Sequence, residues 1–478
     1  MRGLEKSLLL LSVVPVAFAG CTSTNPKAAF DDVGQQVAAR AGYETRWMRD
    51  DAEQDEIGKA VAVLLRTNLT APSAVAVALL NNRSLQAQFE DIGISQADLS
   101  AASRLRNPEF EGMWRLPTHG PKVVNAEYTL AQNFLDLLTL PGRKQIASRN
   151  LEATKLRIAH QVLALAAAVQ GAFYKVQAGE QLTNRLAVVV EVNEAGADLA
   201  QRQHDAGNIN DLELHHQQAT YAQSRLELAH AQVQLRADRE KCNRLLGLWG
   251  GQTPWQTAGS LAPLPEQEIP VENVEALAIA QRLDLAAARG EVVNVQSALK
   301  LKKSVRWIPG ASIGVSAEHD LDHSWVVGPT LSFEVPLFDQ GQPEIARLAA
   351  AHRRAMRTLE ALAVNVRSEV REARDALIAA RDVVDYHQQV LLPQRQRILR
   401  ETLLQYNAMQ KSNYELLLAK EREQQEVQAA IEALRDYWIA RAELERAVGG
   451  SLSNERLPAP ASAKTDTKKP EAHEHDQH

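Results

Sequence analysis

The chain is poor in the residues that staple or compact a small fold. Its 478 residues include two cysteines, Cys21 and Cys242, which excludes a disulfide framework and any multi-cysteine zinc site. Aromatic residues make up 5% against 45% hydrophobic overall, so Ala, Leu and Val carry the packing, and long helices are favoured over a β-rich core. Positive charge is not in excess: 53 Lys and Arg stand against 59 Asp and Glu, a net of −6. No broad basic face is implied, and no nucleic-acid partner is expected. Past the first twenty residues there is no uninterrupted apolar run of about eighteen, so no membrane-spanning helix is expected.

What is present begins with a targeting pattern. Arg2 and Lys6 precede the short apolar stretch from Leu8 to Ala17, and Phe18-Ala19-Gly20-Cys21 follows. A positive start, a brief apolar run and small residues before a cysteine are similar to a bacterial lipoprotein signal, with residues 1–20 removed and Cys21 lipidated. Thr22 follows, where an Asp would mark retention at the inner membrane. The outer membrane is the expected destination.

The chain reads as one unit written twice, at an offset of about 200 residues. Leu85 meets Leu285, Pro108 meets Pro309, Gly142 meets Gly341, Ala206 meets Ala408, and Leu246-Gly247 meets Val448-Gly449. An N-terminal segment (21–70), a first repeat (71–250), a Pro-rich linker (251–271), a second repeat (272–450) and a disordered tail (451–478) are expected. Each repeat reads helix, strand pair, long helix, turn, long helix. No proline occurs from Arg143 to Gln252, and Leu151, Ile158, Leu165, Val169 and Phe173 form a stripe. Val427, Ile431, Leu434 and Trp438 form another in the second repeat. These are coiled-coil-like faces. A rod from residue 143 to 203 spans roughly 90 Å, longer than a compact domain requires.

The strands show a different period. Val124, Ala126, Tyr128 and Leu130 alternate with polar residues, as do Ala311, Ile313 and Val315, and Val327, Pro329, Leu331, Phe333 and Val335. Phe110 and Trp114 share a face on a shorter run. Runs of about ten residues, apolar on one side and polar on the other, suit tilted barrel strands crossing a bilayer. Four strands cannot close a membrane barrel, which needs at least about eight, and an open edge in lipid leaves backbone groups unpaired. Membrane insertion therefore implies a shared barrel, in a dimer of eight strands or a trimer of twelve.

Together with the tandem helix–strand–strand–helix–helix plan, the Val335-Pro336-Leu337-Phe338-Asp339-Gln340-Gly341 turn and the hairpin tips at Ala206-Gly207 and Tyr406-Asn407-Ala408 resemble the TolC-like outer-membrane factors, in their lipoprotein subset. The resemblance implies a mainly α protein with a small transmembrane β part. In a homotrimer, four strands per chain make a 12-stranded β-barrel in outer-membrane lipid, continued by an α-barrel of long antiparallel helices. It further implies docking on a periplasmic adaptor, which couples the duct to an inner-membrane pump. The function implied is the exit channel of a tripartite efflux system. A poreless periplasmic coiled-coil scaffold and the exit duct of a type I protein secretion system are the alternatives.

The resemblance also assigns roles near the tips. The tunnel constriction falls on Glu415 and, by the internal repeat, on Glu213; like-charge repulsion in a threefold ring is expected to raise their pKa values. Adaptor docking falls on Ala206, Gly207, Asn208 and Ile209 and on Ala408, Met409, Gln410, Lys411 and Ser412. Met409 stands where the family prefers glycine, so the expectation is either a second tip of different shape or a left-handed residue there at some cost. No catalytic set and no cofactor are expected. Gly310-Ala311-Ser312-Ile313-Gly314 matches a hydrolase elbow in spelling only, since it lies inside an alternating run. The tail histidines His473, His475 and His478 are weak candidate metal ligands. With His215 and His216 near a tip, they tilt the cargo towards heavy metals. Cys242 is expected to be a packing residue.

Overall fold

The computed structural model describes residues 24–452, apart from 117, 120–122, 270 and 309. Cys21, the preceding leader and the tail histidines His473, His475 and His478 lie outside the described residues. Three helices come first: α1 (Lys27–Ala41), α2 (Asp51–Leu65) and α3 (Ala71–Asn81). The first repeat follows as α4 (Arg83–Ala102), β1 (Glu109–Arg115), β2 (Asn125–Asn133), α5 (Phe134–Asp205) and α6 (Asp211–Leu246). After the linker and α7 (Val274–Gln281), the second repeat runs α8 (Leu283–Ser304), β3 (Ala311–His319), β4 (Trp325–Phe333) and α9 (Gln342–Tyr386). A π-helical turn (His387–Leu391) joins α9 to α10 (Leu392–Asn407), and α11 (Asn413–Val448) closes the repeat.

Local chemistry sets the boundaries. Thr70 and Ser73 form a reciprocal capping box at the start of α3, and Asn82 caps α4 by accepting from the Leu85 N–H. Asn133 caps α5 through the Asp136 N–H, satisfying one of the orphan donors of a helix start. This cap starts α5 nine residues earlier than the sequence reading placed the rod, with Pro141 inside it. At 72 residues, α5 is about 110 Å long. Gly142 is therefore an interior residue, and a Cβ there would come within 2.9 Å of Leu301 Cδ1, so α5 and α8 approach closely. Contrary to the expectation of no span-length apolar segment, α5 is long and apolar enough by composition to cross a membrane. Buried Ile158, Val162, Val169 and Phe173 tie this helix into the first core instead.

Each repeat has its own core. The first joins α1–α3 to α4, α5 and α6 through Val33, Leu79, Phe89, Ile92, Phe173 and Leu246, all nearly inaccessible. The second joins α7, α8, α9 and α11 through Leu285, Val370, Leu377, Tyr437 and Leu444. The linker is packed: Trp255 is buried and stacks on Phe173 at 6.2 Å, and Thr257 pairs with Leu69 in a parallel bridge. Arg239 lies 5.0 Å over the Trp255 ring and pairs with Glu180. Across the repeats, Tyr174 meets Trp438 at 5.8 Å and Arg149 donates to Ser297.

The strands form one antiparallel sheet in the order β1-β2-β3-β4, so among the described residues both edge strands, β1 and β4, have an unpaired side.

Candidate functional site

The sheet has two chemically distinct faces, fixed by register. Along one face Phe110 pairs with Leu130, Leu130 with Val315, and Val315 with Pro329; beside them Tyr128 pairs with Ala317 and Ala317 with Val327. Ile313 opposite Leu331 and Ala311 opposite Phe333 extend it. Phe110, Leu130, Ile313, Val315, Val327, Leu331 and Phe333 are all more than half exposed. This is a continuous apolar surface, far beyond the scattered exposed residues of an ordinary soluble domain.

The opposite face carries Glu111, Thr129 and Ser316 in one row and Glu127 opposite Glu318 in another. Arg115 pairs with Glu127 at 3.3 Å, and Asn125 donates to Glu318 at 2.8 Å. Apolar outside and polar inside, with net negative charge, is the pattern of a strand wall between lipid and a water-filled lumen. Its ends are aromatic. Trp114, Tyr128 and Trp325 lie towards the hairpin loops, with the Trp114 N–H donating to the Tyr128 hydroxyl at 3.2 Å. Phe134, Trp307, Phe333 and Phe338 lie at the helical end, Phe338 being 97% exposed. Two such belts match the two interfaces of a membrane. Gly310-Ala311-Ser312-Ile313-Gly314 leads into and lies along β3, so it forms no strand-to-helix elbow.

Far from the sheet, the two hairpin tips are built alike. At the first, Gly207 takes φ 71°, its N–H reaches the His204 carbonyl and the Asn208 N–H the Gln203 carbonyl. At the second, Met409 takes φ 59°, its N–H reaches Tyr406 and the Gln410 N–H reaches Gln405. Both are left-handed helix ends of the Schellman kind. Of the two shapes expected at the second tip, the left-handed residue at Met409 is therefore the one present, with its side chain 95% exposed. Ile209 and Asn210 lead into α6, where Asn210 accepts from the Glu213 N–H; Lys411 and Ser412 lead into α11, where Ser412 and Glu415 form a capping box. Rings of His216 and Tyr414, 6.1 Å apart, bring the starts of α6 and α11 side by side.

Glu213 and Glu415 thus occupy the same third helical position after the two tips. There a carboxylate also complements the helix dipole. Within a single chain, Glu415 has partners of its own tip. Its carboxylate takes hydrogen bonds from Lys411 Nζ at 2.5 Å and from Ser412, which hold its pKa below the ordinary range. His215 meets only Gln218 at 3.4 Å, while His204 pairs with Asp211 at 2.7 Å. Among the described residues no group of three or more His, Cys, Asp or Glu is placed to hold a metal ion. Cys242 is buried, and desolvation pushes its thiol up to about 12, which leaves it inert at neutral pH.

Two features had little trace in the sequence. One is the π-helical turn, where the Leu392 N–H reaches back to the His387 carbonyl and His387 Nδ1 meets Glu426 Oε1 at 2.5 Å. Pro393, which has no N–H to continue the ordinary ladder, is its one visible cause. The other is a pair of buried joints. Asn81 and Asn82 donate to the carbonyls of Leu245, Leu246 and Gly247, and Arg282 donates to the Ala447 carbonyl and pairs with Asp284 and Glu369.

No protein-family profile matches the chain. It is 23% identical over 284 residues to the cobalt-zinc-cadmium resistance protein CzcC of Cupriavidus metallidurans, a match covering 57% of this chain and 64% of that protein. Its fold superposes on the crystal structure of CusC with a TM-score of 0.65 at 18% identity, covering 80% of this chain and 93% of that one. It also superposes on the outer-membrane channel CmeC of Campylobacter jejuni with a TM-score of 0.65 at 14% identity, covering 84% and 87%.

Proposed function

We propose, from a chain with the fold of the TolC-like outer-membrane factors, that the protein is the outer-membrane exit channel of a tripartite efflux system. The sheet carries this reading. Its apolar face is exposed, its polar face is acidic, and both edge strands have an unpaired side. In lipid those edges must pair with other chains, and three chains of four strands make a closed twelve-stranded barrel. Lipidation at Cys21 adds an anchor in the outer membrane.

The helices then form the periplasmic tunnel, and the tips meet a periplasmic adaptor linked to an inner-membrane pump. Docking falls on Ala206, Gly207, Asn208 and Ile209 and on Ala408 to Ser412, residues at the ends of their hairpins that are exposed except for half-buried Ile209. Glu213 and Glu415, at equivalent positions in the first turns of α6 and α11, line the narrow end and favour cations. Within one chain, Lys411 and Ser412 hold the Glu415 carboxyl below its ordinary range, which keeps it charged at neutral pH. Glu415→Ala is expected to weaken cation preference in single-channel recordings; unchanged preference removes Glu415 from the constriction. The protein has no catalytic role in this scheme.

Similarity to CzcC supports divalent heavy-metal cations as cargo. Deleting the protein should lower the cobalt, zinc or cadmium concentration its cells tolerate. Unchanged metal tolerance with increased drug sensitivity contradicts the cargo assignment.

A further inference from the structure

The hairpin between β3 and β4 holds an arrangement that neither the channel reading nor the packing uses. Its sequence is His319-Asp320-Leu321-Asp322-His323-Ser324-Trp325. The Asp320 N–H reaches the Ser324 carbonyl at 2.9 Å and the His323 N–H the Asp320 carbonyl at 3.1 Å. Asp320 Oδ1 accepts from the Leu321 N–H and Asp322 Oδ1 from the Ser324 N–H, so both acids brace the turn. His323 takes φ 66°. This is a type I turn followed by a left-handed residue, the place where hairpins favour glycine or asparagine. A histidine there has a backbone cost that the turn itself does not require.

The histidine at this position faces a second one. Ring centroids of His319 and His323 are 5.8 Å apart with planes at 73°, and His319 also edges Trp325 at 5.2 Å. Two imidazoles sharing one ion at about 2.0–2.1 Å per nitrogen, in tetrahedral geometry, have centroids roughly 5.2 Å apart. The observed separation exceeds that value by about half an ångström. His319 Nδ1 lies 3.4 Å from the Val124 carbonyl oxygen. That carbonyl can accept only from a protonated Nδ1, which leaves Nε2 as the free lone pair, and metal-binding imidazoles are commonly oriented this way.

We propose that His319 and His323 form a binding site for one borderline divalent cation, such as Zn²⁺ or Cu²⁺, at the tip of the β3–β4 hairpin. Two imidazoles supply the protein ligands. Water completes the shell, with the flanking Asp320 and Asp322 adding local negative charge. Each imidazole binds the cation through a nitrogen lone pair. Placement of the site on the outer surface rests on the channel reading; the binding itself does not.

The test uses the detergent-solubilised full chain, without an affinity tag of histidines, titrated with Cu²⁺ and examined by electron paramagnetic resonance and equilibrium dialysis. Variants His319→Ala and His323→Gly are compared with the parent, the glycine variant keeping the turn and removing its left-handed strain. The tail histidines are present in all three proteins and cancel. The expected result is one fewer bound Cu²⁺ per chain in either variant, with loss of a signal coupled to two imidazole nitrogens. Equal stoichiometry and an unchanged spectrum in both variants overturn the site. A parent spectrum with no two-nitrogen component overturns it as well. Single-channel conductance of His323→Gly separates the two readings: retained conductance with lost Cu²⁺ leaves the channel standing, whereas a parent without conductance fails the channel and leaves the metal site to its own result.

Discussion

The two repeats close the same joint with different chemistry. In the first, the turn between α3 and α4 clamps the end of α6 with amides: Asn81 Nδ2 reaches the Gly247 carbonyl at 2.7 Å and Asn82 Nδ2 the Leu245 carbonyl at 2.8 Å. In the second, the turn between α7 and α8 clamps the end of α11 with Arg282, which reaches the Ala447 carbonyl at 3.3 Å, Asp284 at 2.6 Å and Glu369 at 2.7 Å. Both clamped helices end on a glycine with positive φ, 69° at Gly247 and 94° at Gly449. Backbone geometry is thus shared, while one joint is neutral and the other ionic. Duplicated folds keep the joint because helix-end carbonyls must be paired when buried; which donor pairs them is free to diverge.

The largest expected effect comes from Arg282→Ala. Its side chain is 3% exposed, and its loss leaves a helix-end carbonyl without its donor and the Asp284 carboxylate without its guanidinium partner, retaining the Leu285 N–H. A cost of about 3 kcal/mol is expected, the lower end for breaking a buried pair, because Glu369 still reaches water. A lower thermal unfolding midpoint in detergent checks it; a midpoint within a degree or so of the parent removes the ionic joint from the account. Next is Gly247→Ala, where the new Cβ would lie 2.6 Å from the Asn81 carbonyl oxygen. About 2 kcal/mol is expected from the left-handed backbone and the clash together. Gly449→Ala should cost less, since its nearest neighbour is the flexible Arg282 Cγ at 3.2 Å.

Acid should separate the joints. Burial alone would raise the Asp284 pKa, but the Arg282 hydrogen bond and nearby positive charge bring it below 3.8. A depressed carboxylate contributes stability above its unfolded pKa and loses it as pH falls through the folded value. The end of α11 should therefore lose amide-exchange protection below about pH 3.8 relative to the end of α6, whose amide clamp does not titrate. Equal loss at both ends contradicts the distinction.

The smallest effect is at the tips. Met409→Gly should relieve the left-handed backbone at the second tip and shift stability by less than about 1 kcal/mol, read as a small change in the unfolding midpoint. The reverse change, Gly207→Met, should destabilise the first tip by a similar amount; no difference between the two directions would mean that the tips frame no strain.

Much of this was legible in residue order. Alternation at Val327 to Phe333 and Ala311 to Val315 marked strands because period two survives wherever one face is apolar. Ala206-Gly207 and Ala408-Met409 marked the tips, since a helix end needs a left-handed residue there. Residue order left two shapes open at the second tip, and Met409 adopts the left-handed backbone of Gly207. The start of α5 was less visible, because Asn133 caps a helix that tolerates Pro141 near its beginning. The joints were hidden for a deeper reason. Asn81, Asn82 and Arg282 find their partners about 165 residues away, and no local period records such a contact. The packing of the linker was not visible in its prolines; Trp255 and Thr257 pin it to the first core. The Glu415 pKa direction followed from Lys411 on the same tip, a neighbour that a ring of carboxylates leaves out.

Planar-bilayer conductance of the purified protein, after its oligomer mass is measured in detergent, tests the central claim most directly. The account predicts a trimer that inserts and gives discrete, cation-preferring steps. A monomer that gives no conductance in several lipids would contradict it, and the apolar face of the sheet would then have to be covered by another protein rather than by lipid.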